Sequence, residues 1–394
     1  MRLDLPLAGI PIPVTPSDAI LYRDTRFRFD LLSSDETIKT ELVGVTGGNL
    51  AWSANASIKG SGTIDMVDIG SVIDWMSSRI KVTMIIDDGR GIPALPREVP
   101  LGVFIPAAPT SSWDTGVKTY SVELLDKLCL LDQDVETGLS GNAVTWTIRK
   151  NVNIFNVIMP LIRDMGESVD AIQFDADAVL QSDMVFPAGT TKLKIVNELL
   201  AAANYFSLWC DGNGLYRCTK YKRPADRDVV YELQAPFVEG DTSFMGTSWS
   251  HDHDLYAVPN RYVAIQTGDG EEEGMVATAT NTDWNSPFSY GRRGRWITET
   301  EDGVEATSQA ALKAYAERKL EERQNVSEKV EVSHVFLPDV LINAVVQFKA
   351  GDVNMRASVQ NTEVPLDPLE LCKSTLKGVV GDTADSDLPD EGEV

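Results

Sequence analysis

An alternating stretch between residues 101 and 134 constrains the fold of this chain more than any other feature of its sequence. An apolar strand begins at Leu101, and residues 109–116 are polar and rich in turn formers, which predicts a loop. Residues 117–124 then alternate with a period of two, as a half-buried strand does. The period stops at Asp126, where a short apolar helical segment is expected. The pattern predicts a hairpin that closes a β-domain, and by itself it implies no chemistry.

More strand patterns precede this hairpin. They lie at residues 26–31, 41–45, 57–66 and 79–86, and Asp87-Asp88-Gly89 predicts a hairpin turn after the last of them. Five or six strands joined by short turns, with almost no helix, predict a compact β-barrel or sandwich. Residues 1–135 are therefore expected to form the first β-domain.

The pattern changes after residue 135, where helical periods appear between short strands. The expected elements, in chain order, are a strand at 143–148, a helix at 156–165 with Asn156 as its N-cap, a helix at 191–204 and a hairpin at 205–221. The second helix carries apolar residues on one face, including Leu193, Val196 and Leu200. These elements predict an α/β accessory domain over residues 136–240.

Strand patterns return after residue 240. The expected elements are a hairpin of strands 261–266 and 275–280, a helix at 307–323, and strands at 329–335 and 345–349. Residues 241–380 are expected to form a second β-domain with one helix, and the two β-rich regions suggest an internal duplication. Residues 381–394 carry six Asp and Glu without a Lys or Arg, which predicts an acidic flexible tail.

The composition argues against several classes of partner. The net charge of −24 over 394 residues opposes sequence-independent binding to a nucleic-acid backbone and docking on anionic membranes. The longest apolar cluster, at residues 154–162, is too short to span a bilayer, and the first residues do not resemble a secretory signal. Four cysteines without a CxxC spacing form no disulfide framework. A soluble protein without membrane contact is expected.

Candidate catalytic and metal-binding residues are few. Asp114-Thr115-Gly116 matches the short signature of aspartic peptidases, but the sequence lacks a good second copy, and a turn is the better interpretation. His251 and His253 could share one face of a strand and bind a metal, although no third ligand lies nearby in the sequence. Phosphate-binding and nucleophile motifs do not occur. The sequence predicts no enzyme, no catalytic residue, no metal site and no cofactor.

One dense basic cluster stands out in this acidic chain. Arg292, Arg293 and Arg295 lie between Tyr290 and Trp296. The cluster is too small, and too surrounded by acidic residues, for a nucleic-acid patch. Two interpretations stay open, namely a protein interface with an acidic neighbour and a solvated loop.

Several of these features occur together in one order. Leu-Gly-Val-Phe at residues 101–104 precedes the alternating strand, and Leu-Asp-Lys-Leu follows it at residues 125–128. Residues 260–265 and 277–290, with the run Asn-Ser-Pro-Phe-Ser-Tyr-Gly-Arg-Arg-Gly-Arg at 285–295, continue the pattern. In patterning and order, most of residues 1–380 resembles the central baseplate hub, or tail-hub, family of minor tail proteins of long-tailed bacteriophages.

The resemblance implies a fold that is mainly β with α/β inserts, built from two tail-tube-like β-barrel domains plus an accessory α/β domain. It implies a structural virion protein at the phage tail tip, soluble in the host cytoplasm before assembly. Three copies would form a hub whose six similar barrels continue the sixfold tail tube and join it to a threefold tip or fibre. The implied partners are two further copies, the tail tube or a distal tail protein, and a tail fibre or tip protein. Genomic DNA would pass through the channel during ejection without specific binding.

Two alternative functions remain. One is a receptor- or glycan-binding tail-tip protein, which the eight Trp favour because exposed aromatic rings stack on sugars. The other is the scaffold of a tail-associated lysin. For a hub, the negative charge predicts an acidic inner surface without a dense basic patch, because a basic wall would bind the phosphates of passing DNA. The arginine cluster is then expected away from the channel, against another protein.

Overall fold

The structure is a computed structural model that describes most of the chain. The described residues are 24–70, 73–87, 97–133, 136–137, 142–143, 145–235, 245–253, 256–266, 274–304, 309–324, 328–351 and 353–379. The turn predicted at residues 87–89 and the acidic segment 381–394 therefore lie outside them, apart from the backbone of Asp87.

The described residues contain strands β1–β22, helices α1–α4 and two short 3-10 helices. Their bounds, in chain order, are β1 Asp24–Leu32, β2 Ile38–Glu41, β3 Val45–Ser53, β4 Gly60–Val67, β5 Arg79–Asp87, β6 Arg97–Asp114, β7 Val117–Asp126, a 3-10 helix Lys127–Leu131, β8 Glu136–Thr137, β9 Asn142–Ala143, β10 Trp146–Ile148, α1 Phe155–Arg163, β11 Met184–Phe186, α2 Lys192–Ala202, β12 Trp209–Cys210, β13 Tyr216–Arg217, a 3-10 helix Pro224–Asp226, β14 Val229–Gln234, β15 Met245–His253, β16 Arg261–Gln266, β17 Met275–Thr280, α3 Tyr290–Arg293, β18 Thr298–Asp302, α4 Gln309–Gln324, β19 Glu328–His334, β20 Val345–Ala350, β21 Val353–Pro365 and β22 Cys372–Gly378.

Thirteen of these strands form one large sheet with two similar halves. The first half has the order β3-β4-β7-β6-β5-β1, with β2 at its edge, and the second has the order β15-β19-β22-β21-β20-β14. When the six strands of each half are numbered in chain order, corresponding strands have the same spatial order in both halves. All neighbours are antiparallel except β14 and β20, which are parallel. The long strand β21 joins the halves, because it pairs with β20 and β22 and then with β3.

The hairpin predicted around residue 115 is confirmed, but its loop is shorter than expected. Strand β6 continues to Asp114, and Thr115 and Gly116 alone form the turn, with φ angles of 48° and 89°. Two positive φ angles are typical of the tight turn that suits the twist of a hairpin. Residues 107–114 are exposed on both faces, so no apolar alternation marks them as a strand.

The expected α/β elements between residues 145 and 221 are present and have their own hydrophobic core. Helix α1 begins at Phe155, and the Asn153 side chain accepts a hydrogen bond from the Phe155 N–H at 2.9 Å. The N-cap position is Ile154, so the prediction of Asn156 as the N-cap was wrong by two residues. Thr191 is the N-cap of α2, and the helix buries its predicted apolar face.

A second small unit interrupts the later β region. Strands β17, β16 and β18 form a separate sheet, and α4 packs on it through Leu312, Ala316 and Leu320. The predicted hairpin of β16 and β17 and the predicted helix are thus confirmed. The strand order of the large sheet resumes at β19.

A network of three buried charges and the half-buried Glu36 fastens the α/β elements to the large sheet. Arg79 of β5 and Lys127 of the first 3-10 helix both pair with Glu36 and with Glu167, which follows α1. Arg79 lies 2.6 Å from the Glu167 carboxylate and Lys127 lies 2.5 Å from it. The Tyr216 hydroxyl of β13 also donates to the Lys127 carbonyl at 2.8 Å. Each buried charge therefore has partners of opposite sign, which its burial requires.

Replacing Glu167 by Gln should lower the free energy of unfolding by about 3 kcal/mol, because two buried cations then share only Glu36. Urea denaturation measures the change. The matched control is Glu198→Gln, which removes the exposed partner of Lys194 and should cost less than about 1 kcal/mol. Equal effects of the two substitutions would contradict a stabilising network.

Candidate functional site: the polar face of the large sheet

One face of the large sheet is covered by small polar side chains. Pairing register places alternate residues of eight neighbouring strands on this side, and we call the set the polar face. Its members are Ser248, Ser250 and Asp252 of β15, Lys329, Glu331 and Ser333 of β19, Lys373, Thr375 and Lys377 of β22, Asn361 and Glu363 of β21, Asn49, Ala51 and Ser53 of β3, Ser61, Thr63 and Asp65 of β4, Thr119, Ser121 and Glu123 of β7, and Ala108, Thr110 and Ser112 of β6. Eleven of these residues are Ser or Thr.

The polar face crosses the junction of the two halves without interruption. The Asn49 amide donates to the Glu363 carboxylate at 2.9 Å, and Thr63 donates to the Asn49 carbonyl oxygen at 2.8 Å. Three neighbouring strands are thus linked by side chains as well as by the backbone. A shallow groove of about 690 Å³ lies over this junction, lined by Ser53 and Thr375 among others.

The polar face carries a small excess of negative charge. Its five carboxylates outnumber its three lysines, and one lysine, Lys329, pairs with Glu331 at 2.6 Å. None of these members is an arginine, although the pairing of Ser358 with Lys377 also places Arg356 of β21 on this side of the sheet. On the opposite side of the same strands, Leu50, Ile64, Val122 and Leu124 are fully buried. The sheet therefore turns one side to the core and presents hydroxyl groups on the other.

A buried histidine lies directly behind the polar face. One ring nitrogen of His334, Nε2, is 2.8 Å from the Ser374 hydroxyl, and that hydroxyl is 3.1 Å from the Thr362 hydroxyl. The other ring nitrogen, Nδ1, lies 2.7 Å from the Val335 carbonyl oxygen, to which it can donate. Burial lowers the pKa of His334 below its ordinary value of 6.5. The folded protein therefore favours the neutral imidazole.

This histidine should make stability fall with acidification. Because the folded-state pKa lies below the unfolded value, the contribution of His334 is present above about pH 6.5 and is lost as the pH falls. Urea midpoints at about pH 7.5 and pH 5 should therefore differ less in His334→Gln than in the natural chain. Asp126, whose pKa burial raises to about 6, titrates in both proteins and cancels in the comparison. If the urea midpoints at the two pH values differed equally in both proteins, His334 would not contribute to the pH dependence of stability.

The predicted arginine cluster lies on the three-stranded unit, where the three side chains have different surroundings. Arg292 is exposed and donates through Nε to the Trp284 carbonyl at 2.9 Å. Arg293 is half-buried and donates to the Val258 carbonyl. Arg295 is exposed, and its guanidinium carbon lies 4.4 Å from the centroid of the Tyr256 ring.

Exposed aromatic rings surround these arginines. Tyr290 stacks on Trp296 at a centroid distance of 4.5 Å, and the guanidinium carbon of Arg261 lies 5.4 Å from the centroid of the Trp296 ring. We call the following set the aromatic–arginine surface: Tyr256, Arg261, Trp284, Tyr290, Arg292, Arg295 and Trp296. Trp284 and Tyr256 are 68% and 75% exposed, which is unusual for such large rings.

The other predicted candidates have structural positions. Asp114 ends β6 beside the two-residue turn, as the turn interpretation of Asp114-Thr115-Gly116 requires. His251 lies in β15, and the side chain of His253 is outside the described residues. Among the described residues, no group of three or more His, Cys, Asp or Glu could hold a metal ion. No helix of the described part is long and apolar enough to cross a membrane.

The polar face itself was not predicted from the sequence. Its signal is visible in β7, where Thr119, Ser121 and Glu123 alternate with buried residues, but similar alternation occurs in many exposed strands. That eight such strands share one surface follows from their pairing.

The fold and the polar face define a mainly β protein with one broad polar sheet face. No protein-family model matches the sequence, and no curated protein matches it. Solved structures do match its fold. The 43 kDa tail protein of prophage MuSo2 from Shewanella oneidensis has a TM-score of 0.62 at 14% identity, over 90% of this chain and 98% of that one.

Two further structures match over similar lengths. A tail protein from Neisseria meningitidis has a TM-score of 0.62 at 9% identity, over 90% of this chain and 96% of that one. The prophage tail protein gp18 from Listeria monocytogenes has a TM-score of 0.55 at 10% identity, over 89% and 94%. The chain thus has the fold of phage and prophage tail proteins. The resemblance identified in the sequence is confirmed at this level.

Proposed function

We propose that this chain is a structural virion protein, the hub at the distal end of a phage tail tube. The observation that carries the proposal is the repeated order of six strands in the two halves of the large sheet. A tail tube is built from identical β subunits in sixfold rings. A chain with two similar halves can occupy two of those six positions, so three copies complete one ring.

In this proposal the chain consists of the domains that its sequence predicts. Residues 1–135 form the first tube-like barrel, 136–240 the α/β accessory domain, 241–380 the second tube-like barrel and 381–394 an acidic tail. The exception is β14, at Val229–Gln234, which pairs with β20 and therefore belongs with the second half of the large sheet. The three-stranded unit between β15 and β19 would be an insert in the second barrel. The ring would join the tube or a distal tail protein on one side to a tip or fibre on the other.

We assign the polar face to the wall of the DNA channel. Hydroxyl side chains offer no fixed positive charge to bind phosphate, and five carboxylates against three lysines give a weak repulsion. That repulsion acts over about 10 Å at 0.1 M salt. DNA would therefore pass without specific binding. Arg292 and Arg295 lie on a different unit of the fold, and we assign them to a contact with a protein.

A trimer is the expected oligomeric state. Sedimentation equilibrium of the purified chain over a wide concentration range should give three times the chain mass, because β2, β14 and β15 each pair on one side only among the described strands and offer the other edge to neighbours. A map of the tail tip should show threefold symmetry at the position of the chain. A monomer at every concentration, together with a tip that lacks threefold symmetry, would refute the hub.

The channel assignment predicts a specific sensitivity to positive charge. The triple substitution Thr63→Lys, Thr110→Lys and Ser121→Lys places three cations together on the polar face and should slow DNA ejection about threefold or more at low salt, with recovery at high salt. The matched control is Thr278→Lys, Thr280→Lys and Thr300→Lys, which adds the same charge to exposed strand positions of the small unit. Equal ejection rates in the two variants would exclude the polar face from the channel wall.

A further inference from the structure

The aromatic–arginine surface brings together three arginines that have no carboxylate partner among the described residues. Among the described residues, no carboxylate forms an ion pair with Arg261, Arg292 or Arg295. Several other arginines do have such partners: Arg28 with Glu98, Arg149 with Asp183, Arg217 with Asp211, Arg223 with Asp226 and Arg323 with Glu299. In a chain of charge −24, three neighbouring arginines without a described carboxylate partner mark a place where an acidic ligand fits.

The exposed rings add a second requirement to that ligand. The stacked pair of Tyr290 and Trp296 and the exposed ring of Trp284 present flat apolar surface next to the guanidinium groups. Trp284 packs on Gly291, where a Cβ atom would come within 2.9 Å of the ring. A ligand that combines carboxylates with a short apolar segment would satisfy both the charges and the rings.

Residues 381–394 of this chain have that composition. Their six acidic residues are Asp382, Asp385, Asp387, Asp390, Glu391 and Glu393, and Leu388-Pro389 lies among them without any Lys or Arg. Proline packs readily on tryptophan and tyrosine rings, as in the aromatic grooves that bind proline-rich peptides.

A series of contacts connects the end of the described chain to this surface. Lys377 of β22 pairs with Lys329 of β19, and β19 begins at Glu328, four residues after Gln324. The Gln324 side chain donates to the Pro259 carbonyl. The side-chain amide of the next residue, Asn260, donates to the Arg295 carbonyl. From Val379, fifteen residues can span up to about 50 Å. We infer that this length lets the acidic residues reach the surface.

We propose that residues 381–394 bind the aromatic–arginine surface of their own chain, with their carboxylates on Arg292 and Arg295 and Leu388-Pro389 against the rings. The acidic segment and the basic surface then compensate each other, and any other acidic protein must displace the segment before it can bind there.

A competition experiment on the full-length chain tests the proposal. In one variant, the six acidic residues of 381–394 are replaced by Asn or Gln, which leaves the surface open. A labelled peptide with the natural sequence of 381–394 should bind this variant, as measured by fluorescence anisotropy. It should bind the natural chain at least about tenfold more weakly, because the tethered segment has a millimolar effective concentration. The binding should weaken with salt.

Two controls separate this contact from general electrostatics. Adding Arg292→Gln and Arg295→Gln to the open variant should weaken peptide binding about tenfold or more, whereas adding Arg149→Gln, an exposed arginine far along the sequence, should not. A peptide with its acidic residues amidated should not bind. Circular dichroism verifies that each variant is folded.

Three results would overturn the proposal. They are failure of the peptide to bind the open variant, equal binding to the open variant and the natural chain, and equal binding with and without Arg292 and Arg295. The assay uses the isolated chain and does not require a tail, so its outcome is independent of the proposed hub function.

Discussion

The pairing of β21 with β3 is the contact on which the rest of the structure depends. Asn361–Pro365 of β21 lie beside residues 49–53 of β3, and this short antiparallel ladder makes one sheet out of two halves. The core supports the same junction, because Val364 and Leu366 pack with Leu50 in the hydrophobic cluster of the first half. Without this ladder, the polar face would consist of two separate surfaces.

The molecule distributes its polar groups in two distinct ways. Inside, Arg79, Lys127, Glu36 and Glu167 form a closed network that fixes the orientation of the α/β elements on the sheet, since a buried charge tolerates only an arrangement in which it has partners. Outside, the polar face uses mainly uncharged hydroxyl groups. The internal ion pairs thus fix the orientation of the α/β elements on the sheet, while the polar face carries only a small net charge.

The low identity to structures of the same fold has a physical explanation. At 14% identity a TM-score of 0.62 is retained over nearly the whole chain. Alternating strands need residues of the right polarity on each face, and many apolar residues of similar volume satisfy a core position. Our proposals therefore assign function to two surfaces, the polar face and the aromatic–arginine surface, and not to the fold itself.

Local periodicity in the sequence determined the strands β5 and β7, the hairpin of β16 and β17, and the helix α2. They did not reveal β21 and β22 as strands, since residues 353–365 mix Asn, Arg, Gln and Glu among their apolar positions. Nor could they reveal the contact between Asn49 and Glu363, which are 314 residues apart. Alternation decides which side chains share a face of one strand. Which strands become neighbours depends on backbone pairing and core packing between distant segments, so only the tertiary structure decided the junction, the polar face and the buried charge network.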